Sequence, residues 1–263
     1  MTVLAETITD LDCEVELDPA LRSYRTMQEL LDDLHARADE ARRAAGTLPW
    51  TITSVVNGNN ADLIAHIAPL YIPPGSLVRD VTWGKGAFWK KMDTGSISLV
   101  GSDIAPHVAV GDVLLADFRA LPDADESADV VVLDPPYIHN PGKHQTDSRY
   151  NNAATTGGMS HKDIRALYGD GMAEAMRVLR PGGRLLVKGK DEVESGRQCW
   201  SHAELREDAE SMGLYARDFF ILVPQARTSM NRWSTQKHAR KVHSFLWVFE
   251  KKVPKRVVKG AVK

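Results

Sequence analysis

Five short segments rich in β-branched residues constrain the fold of this chain more than any other feature. Each is almost continuously apolar, which is typical of strands that are buried on both faces, as in a parallel sheet. Helix-like segments alternate with strands along the chain, and this pattern predicts a doubly wound, mostly parallel α/β sheet. The predicted strands are SLVRDVT (76–82), SISLVGSDI (96–104), DVLLADF (112–118), ADVVVLDPPY (128–137) and RLLVKGK (184–190).

Two more apolar segments near the C-terminal end predict a final strand pair joined by a basic loop, which gives the sheet a terminal antiparallel strand. They cover residues 215–224 and 243–251. Ser160 and Asp163 have the spacing of a capping box, which places the start of a helix there. The predicted helices cover residues 61–70, 160–179 and 201–212.

The length and composition predict one large domain with small extensions. The chain has 263 residues, of which 43% are hydrophobic, and this is enough for one α/β domain with a sizeable core. We predict a helical N-terminal extension over residues 1–50, with an amphipathic helix at 19–45. The main domain is predicted over residues 51–252, followed by a basic tail at 253–263.

Cysteine content and charge distribution limit the possible classes of protein. Cys13 and Cys199 are the only cysteines, so a disulfide scaffold and a cysteine-based zinc site are excluded. No segment reaches the ~18 apolar residues of a membrane span, and the acidic N-terminus does not resemble a secretory signal, so we expect a cytoplasmic protein. Residues 227–263 carry eleven Lys and Arg and one acid, a basic region suited to phosphate contacts.

The tetrapeptide Asp134-Pro135-Pro136-Tyr137 directly follows the most apolar predicted strand. Ligands of open α/β sheets bind at the carboxyl ends of strands, which is where these residues would lie. The Asp134 carboxylate and the Pro135 carbonyl could accept hydrogen bonds from an aromatic amino group, and such bonds would free its delocalised lone pair. The prolines stiffen the turn, and the ring of Tyr137 could stack on an extruded base. The plainer interpretation is a strand-ending turn.

Acidic residues end three successive predicted strands beside a glycine turn. The turn, Asp80-Val81-Thr82-Trp83-Gly84-Lys85-Gly86, follows the first strand, and its glycines would allow a ligand to approach the backbone closely. Asp103 follows Asp80 by 23 residues, a spacing suited to an acid that holds ribose hydroxyls. Asp117 ends the third strand. The turn lacks a third glycine at the dinucleotide spacing, which counts against an NAD site.

Together these motifs resemble the amino-group, S-adenosylmethionine-dependent DNA methyltransferases. Asp134-Pro135-Pro136-Tyr137 is similar to their catalytic motif, and the segment from Asp80 to Gly86 is similar to their cofactor motif. The cofactor motif comes first, as in the gamma-type order. The resemblance covers roughly residues 57–250 and is closest to small phage or actinobacterial enzymes. It implies a Rossmann-like class I methyltransferase fold, S-adenosyl-L-methionine as cofactor, and N6 of adenine in DNA as the target.

The resemblance also assigns roles to single residues. Asp117 would accept from the adenine amino group of the cofactor, and Phe118 would pack on its ring. Trp83 and Lys85 depart from the usual pattern, in which smaller residues occupy these positions. The implied cofactor-binding set is Asp80, Thr82, Gly84, Gly86, Asp103, Asp117 and Phe118, and the catalytic set is Asp134, Pro135, Pro136 and Tyr137.

Two loops are predicted to face the nucleic acid. The 138–160 loop follows the catalytic motif and could close over the target base, and its two histidines lack the partners of a metal site, so no metal is predicted. The basic loop mixes cations with an aromatic residue, as phosphate-contacting surfaces do. Lys188 has no assigned role, since a lysine at a sheet rim can simply extend to solvent. The predicted substrate-binding residues are Arg227, Arg232, Lys237, Arg240 and Lys241.

Several alternatives stay open at this stage. The substrate could be an RNA base, or the target could be N4 of cytosine in DNA. A further alternative is a nucleic-acid-binding scaffold that keeps the fold without the activity. The target sequence, the oligomeric state and the role of the N-terminal helix cannot be derived from the sequence.

Overall fold

A computed structural model describes residues 51–105, 107, 109, 111–137, 159–224 and 237–253, together with five helical residues nearer the N-terminus. The chain divides into two compact units, residues 1–52 and 53–263. In the first unit, Glu29, Asp33, Ala36, Arg37 and Glu40 are helical, and they lie within the helix predicted at 19–45. The predicted tail lies outside the described residues from residue 254 onward. The three-part domain division stays a prediction.

The second unit contains three described helices and ten strands. The helices are α1 (Asn60–Tyr71), α2 (His161–Val178) and α3 (Ser201–Ser211). Short 3₁₀ turns occupy Ala87–Trp89 and Thr94–Ser96. The strands are β1 (Val55–Asn57), β2 (Leu77–Asp80), β3 (Ser98–Asp103), β4 (Leu114–Leu115), β5 (Ala128–Leu133), β6 (Leu179–Gly189), β7 (Glu192–Glu194), β8 (Arg197–Cys199), β9 (Leu214–Val223) and β10 (Ser244–Lys251).

Eight strands form one sheet in the order β1-β9-β10-β6-β5-β2-β3-β4. All pairs are parallel except those of β10, which is antiparallel to both β6 and β9. The predicted fold class, a mostly parallel doubly wound sheet with a terminal antiparallel strand, is therefore confirmed. The last strand in the chain lies between β6 and β9 and not at the sheet edge. The chain runs outward from β2 to β4 and then returns to β5, so the strand order switches between β2 and β5, where such sheets bind ligands.

Both faces of the sheet are buried, as the near-continuous apolar strands predict. On β5, Val131 and Leu133 belong to a core that includes residues of α2 and α3, whereas Val132 between them is buried on the opposite face. α1 covers that opposite face, where the ring of Tyr71 meets the ring of Phe220 edge-on at a centroid distance of 6.0 Å. No helix among the described residues is long and apolar enough to cross a membrane.

The structure confirms the helix start at Ser160. The Ser160 hydroxyl accepts from the backbone N–H of Asp163 at 3.3 Å, and the Asp163 carboxylate accepts from the backbone N–H of Ser160 at 2.8 Å. This reciprocal pair satisfies two donors that have no partner within the helix. It also fixes where α2 begins.

Two segments differ from the predictions. The strand predicted at 112–118 consists only of Leu114–Leu115, because it lies at the sheet edge and pairs on one side only. The hairpin of β7 and β8 was not predicted, since its strands are short and mostly polar. Its turn has positive φ at both Ser195 and Gly196, the two-residue geometry that matches the twist of the flanking strands.

Candidate active site

The glycine turn after β2 forms one wall of the candidate site. Gly84 and Gly86 have φ of 55° and 60°, a left-handed conformation that other residues adopt only with strain. A Cβ atom at Gly84 would meet nothing closer than the Thr82 carbonyl oxygen at 4.0 Å. The space beside this backbone is therefore open, as close approach of a ligand requires.

Trp83, which departs from the family pattern, has a structural reason to be large. A Cβ on Gly101 of β3 would come within 2.3 Å of the Trp83 ring, and a Cβ on Gly86 within 2.9 Å. The indole therefore packs directly on the bare backbone of two glycines. This packing holds the turn against β3 without any contribution from a ligand.

Asp103, at the end of β3, lies beside the glycine turn as predicted. One carboxylate oxygen accepts from the backbone N–H of Gly84 at 2.9 Å, and the other accepts from that of Ala105 at 2.9 Å. Each oxygen retains acceptor capacity, because a carboxylate oxygen has two lone-pair directions. The carboxylate can thus hold the turn and accept from ligand hydroxyls at the same time.

Asp80, at the end of β2, is buried behind the same turn. Its carboxylate accepts from the indole N–H of Trp89 at 2.7 Å and from the backbone N–H of Thr82 at 3.2 Å. Burial is the main cause that raises the pKa of Asp80 to about 7. The charges of Asp134 and Asp103 act in the same direction, and the two hydrogen bonds act against them. The carboxyl ends of three strands therefore bring several acids together.

Asp117 and Phe118 come shortly after β4, and their side chains have different surroundings. The Asp117 carboxylate is paired with the Arg119 guanidinium at 2.6 Å, which lowers the pKa of the carboxyl. The Phe118 ring is only 8% exposed and belongs to the core, where a Cβ on Gly171 of α2 would come within 2.8 Å of it. The predicted contacts of these two side chains with a cofactor stay predictions.

The tetrapeptide of residues 134–137 begins where β5 ends, and a hydrogen bond joins it to the glycine turn. The backbone N–H of Asp134 donates to the Thr82 hydroxyl at 2.8 Å, which ties the two motifs together. The Asp134 atom Oδ1 is buried and accepts no hydrogen bond from the described residues. Burial raises the pKa of Asp134, and the nearby Lys188 lowers it. A buried carboxylate oxygen without a donor is costly, so this atom is suited to receive one from a ligand.

Tyr137 lines a cavity next to this oxygen. Lys188 Nζ lies 4.7 Å from the centre of the Tyr137 ring and 3.5 Å from its hydroxyl oxygen. Other lining residues come from α2, the end of β6 and the start of α3, among them Ile164, Tyr168, Gly189, Glu204 and Leu205. The lining therefore combines apolar and aromatic side chains with charged ones, which also include Arg165 and Lys190.

His161, at the start of α2, also lines this cavity and was not singled out from the sequence. Its Nδ1 lies 2.8 Å from a Glu192 oxygen, and its Nε2 lies 2.6 Å from a Glu204 oxygen. Burial lowers the pKa of His161, but the two carboxylates raise it above its ordinary value on balance. The His161 imidazole therefore joins α2, the β7–β8 hairpin and α3 around the cavity.

The described part of the basic loop reaches the same edge of the sheet. β10 starts beside the end of β6, with Phe245 paired to Gly189, so the segment before it lies near the catalytic motif. Lys241 Nζ lies 4.5 Å above the ring of the exposed Trp200, and Lys237 and Arg240 are exposed. Arg227, Arg232 and residues 138–158 lie outside the described residues.

No protein-family model and no curated protein matches this sequence. Among solved structures, a SAM-dependent methyltransferase from Methanosarcina mazei matches at 13% identity and a TM-score of 0.47, over 71% of this chain and 97% of that one. TrmN from Thermus thermophilus matches at 17% identity and a TM-score of 0.45, over 73% of this chain and 48% of that one. A candidate DNA modification methylase from the same organism, complexed with S-adenosyl-L-methionine, matches at 17% identity and a TM-score of 0.36, over 52% of each chain. At such identities, chemistry has to be inferred from this chain's own side chains.

Proposed function

We propose that this chain methylates an exocyclic amino group of a nucleic-acid base, with S-adenosyl-L-methionine as the methyl donor and N6 of adenine in DNA as the preferred target. The observation that carries the proposal is the buried Oδ1 of Asp134, which accepts no hydrogen bond from the described residues. The Asp134 backbone N–H donates to Thr82 in the glycine turn, and Lys188 Nζ lies 3.5 Å from both Asp134 Oδ1 and the hydroxyl of Tyr137, which lines the cavity.

The residues of the glycine turn fit the proposed cofactor. The space beside Gly84 is open, since a Cβ there would meet nothing closer than 4.0 Å, and the Asp103 carboxylate accepts from the Gly84 N–H beside it. Asp103 would accept from ribose hydroxyls, and Asp80, Thr82 and Gly86 would complete the turn that holds the amino-acid part. Asp117 and Phe118 would lie beside the adenine. When bound, the cofactor supplies an electrophilic methyl group on a sulfonium sulfur.

The chain's own groups then account for activation of the target nitrogen. Asp134 Oδ1 would accept one amino N–H, and the Pro135 carbonyl would accept the other. Both bonds would localise the lone pair on nitrogen for attack on the methyl group, while the bond from that methyl group to sulfur breaks and its electron pair stays on sulfur as a neutral thioether. The nitrogen gains a methyl group and loses one proton, which the Asp134 carboxylate would accept. The Tyr137 ring offers a stacking surface for the flipped base, and holding the reactants at near-attack distance is worth roughly 7–11 kcal/mol of barrier.

The Asp103→Ala variant tests the cofactor site. We expect calorimetry to show binding of S-adenosyl-L-methionine weakened by about 10–100-fold, because a charged acceptor of the ribose hydroxyls is lost. Asp112→Ala is the matched control, since Asp112 is an exposed acid shortly after Asp103 and before β4. Equal affinities in both variants would contradict the proposed role of Asp103.

The basic loop would supply the affinity for nucleic acid. Lys241 Nζ lies over the ring of Trp200, just before α3, and Lys237, Arg240, Arg227 and Arg232 belong to the same loop in the sequence. Phosphate contacts of this kind release counterions, so binding should weaken steeply as salt increases. The loop would therefore hold the strand while the motif after β5 engages one base.

The deciding experiment is methyl transfer from labelled cofactor to unmethylated genomic DNA, followed by mass spectrometry of the nucleosides. We expect label in N6-methyladenine. Label in N4-methylcytosine would keep the chemistry and change the target base, and label in RNA instead of DNA would change the substrate. If neither DNA nor RNA acquires label, the proposal is overturned in favour of a non-catalytic scaffold, whether or not the protein binds the cofactor.

A further inference from the structure

A buried lysine lies between the two functional side chains of the motif after β5. The Lys188 side chain is 3% exposed, and its Nζ lies 3.5 Å from both Asp134 Oδ1 and the Tyr137 hydroxyl oxygen. The same ammonium lies 4.7 Å from the centre of the Tyr137 ring. A buried lysine is rarely found without a specific electrostatic partner. Here it faces a carboxylate and an aromatic ring together.

The position of this lysine is fixed by the backbone. In the β5–β6 register, Leu133 is opposite Val187, so the residues that follow them, Asp134 and Lys188, lie side by side. The Lys188 carbonyl accepts from the Tyr168 hydroxyl at 2.7 Å, which ties this point of β6 to α2. The ammonium is therefore held at the site and does not extend to solvent, as a lysine at a sheet rim usually does.

The charges around Asp134 show why a cation is needed. Burial raises the pKa of Asp134, and among the described residues Lys188 is the cation that lowers it. The negative charge of Asp134 also contributes to the raised pKa of Asp80, at the end of β2. Without the Lys188 cation, the buried Asp134 carboxylate would bind a proton more readily.

We infer that Lys188 is a positioning residue for the proposed transfer: its ammonium keeps the Asp134 carboxylate charged and holds the Tyr137 ring in place. This inference rests on the proposed function. A charged carboxylate accepts a stronger hydrogen bond from an amino group than a neutral one does. Because Lys188 donates no well-formed hydrogen bond to Oδ1 at 3.5 Å, it supplies charge and leaves the oxygen available to the base.

The test compares the pH dependence of kcat in Lys188→Met, Lys188→Arg and the control Lys162→Met, which removes an exposed charge from the first turn of α2. Loss of the cation raises the pKa of Asp134, so the acid limb of the Lys188→Met profile should move to higher pH by about one to three pH units. Lys188→Arg should move it back, and Lys162→Met should leave it unchanged. An equal fall in kcat at every pH, or no rescue by arginine, would overturn the inference.

A second measurement separates this inference from the proposed function. The side-chain carboxyl groups of aspartate are labelled with ¹³C and titrated by NMR, and Asp134→Asn identifies the Asp134 signal among those of Asp80 and Asp103. We expect that signal to titrate at higher pH in Lys188→Met than in the wild type, with or without methyl transfer. An unchanged titration would overturn the role of Lys188. A shifted titration in a protein that methylates no nucleic acid would support Lys188 and contradict the proposed function.

Discussion

Replacing Asp134 with alanine is expected to reduce kcat for methyl transfer by at least about 10²–10³-fold, the loss found when one preorganised charge-stabilising group is removed from a dry site. The reason is that Oδ1 is buried, accepts no hydrogen bond from the described residues, and is the acceptor through which the target nitrogen would be activated. Cofactor binding should remain largely intact, because the turn of Gly84 and Asp103 does not depend on the Asp134 side chain. Single-turnover rates and calorimetry measure the two quantities separately.

Asp134→Asn provides the matched comparison. Asparagine has nearly the same shape and one acceptor oxygen, but it carries no charge and cannot take up the proton. We expect its kcat to lie between those of the wild type and Asp134→Ala, with KM changed less than kcat. Thermal melting of both variants checks that each is folded. Wild-type turnover by Asp134→Ala would exclude the proposed mechanism. A loss confined to cofactor affinity would assign Asp134 to cofactor binding and not to activation of the target nitrogen.

The fold was predictable from sequence because its central strands are buried on both faces. Such strands show near-continuous apolar segments, and β2, β3 and β5 lie within those segments, whereas β6 begins at Leu179, before the segment predicted at 184–190. β4 is shorter than its apolar segment predicts. Leu114 and Leu115 are exposed at the sheet edge, so in this strand apolar residues do not indicate burial. Short, mostly polar strands such as β7 and β8 have too few residues to show any periodicity.

The positions of the candidate site residues were also predictable, because carboxyl ends of parallel strands meet at one edge. Asp80, Asp103 and Asp134 each follow an apolar strand directly, and the structure brings all three to that edge. The contacts between them depend on strand register, which periodicity does not give. The β2–β3 register places Trp83 over Gly101, and the β5–β6 register places Lys188 beside Asp134. Which side chains meet across a sheet is decided by tertiary structure, and the sequence pattern of a single strand does not show it.

Arg79 illustrates the same limit, and its replacement is expected to have the largest effect on stability. Arg79 lies within β2, a strand predicted to be apolar and buried on both faces, and its charged side chain is only 2% exposed. The guanidinium donates to both Asp123 oxygens at 2.6 and 2.8 Å and to the Val100 carbonyl at 2.8 Å. Breaking a buried pair by removing one partner costs about 3–5 kcal/mol, because the remaining groups lose their hydrogen bonds.

We therefore expect Arg79→Met to lower the free energy of unfolding by about 3 kcal/mol or more, measured by urea unfolding at neutral pH. Asp123 retains some solvent contact, at 15% exposure, which places the loss toward the lower end of that range. Arg206→Met is the control, because Arg206 pairs with Glu210 on the exposed surface of α3 and such pairs contribute about 0.3–0.5 kcal/mol. Equal losses in the two variants would show that the buried pair does not support β2. Since Asp80 directly follows Arg79, the larger loss would also mean that the carboxyl end of β2, and with it the glycine turn, depends on an ion pair that the apolar pattern does not reveal.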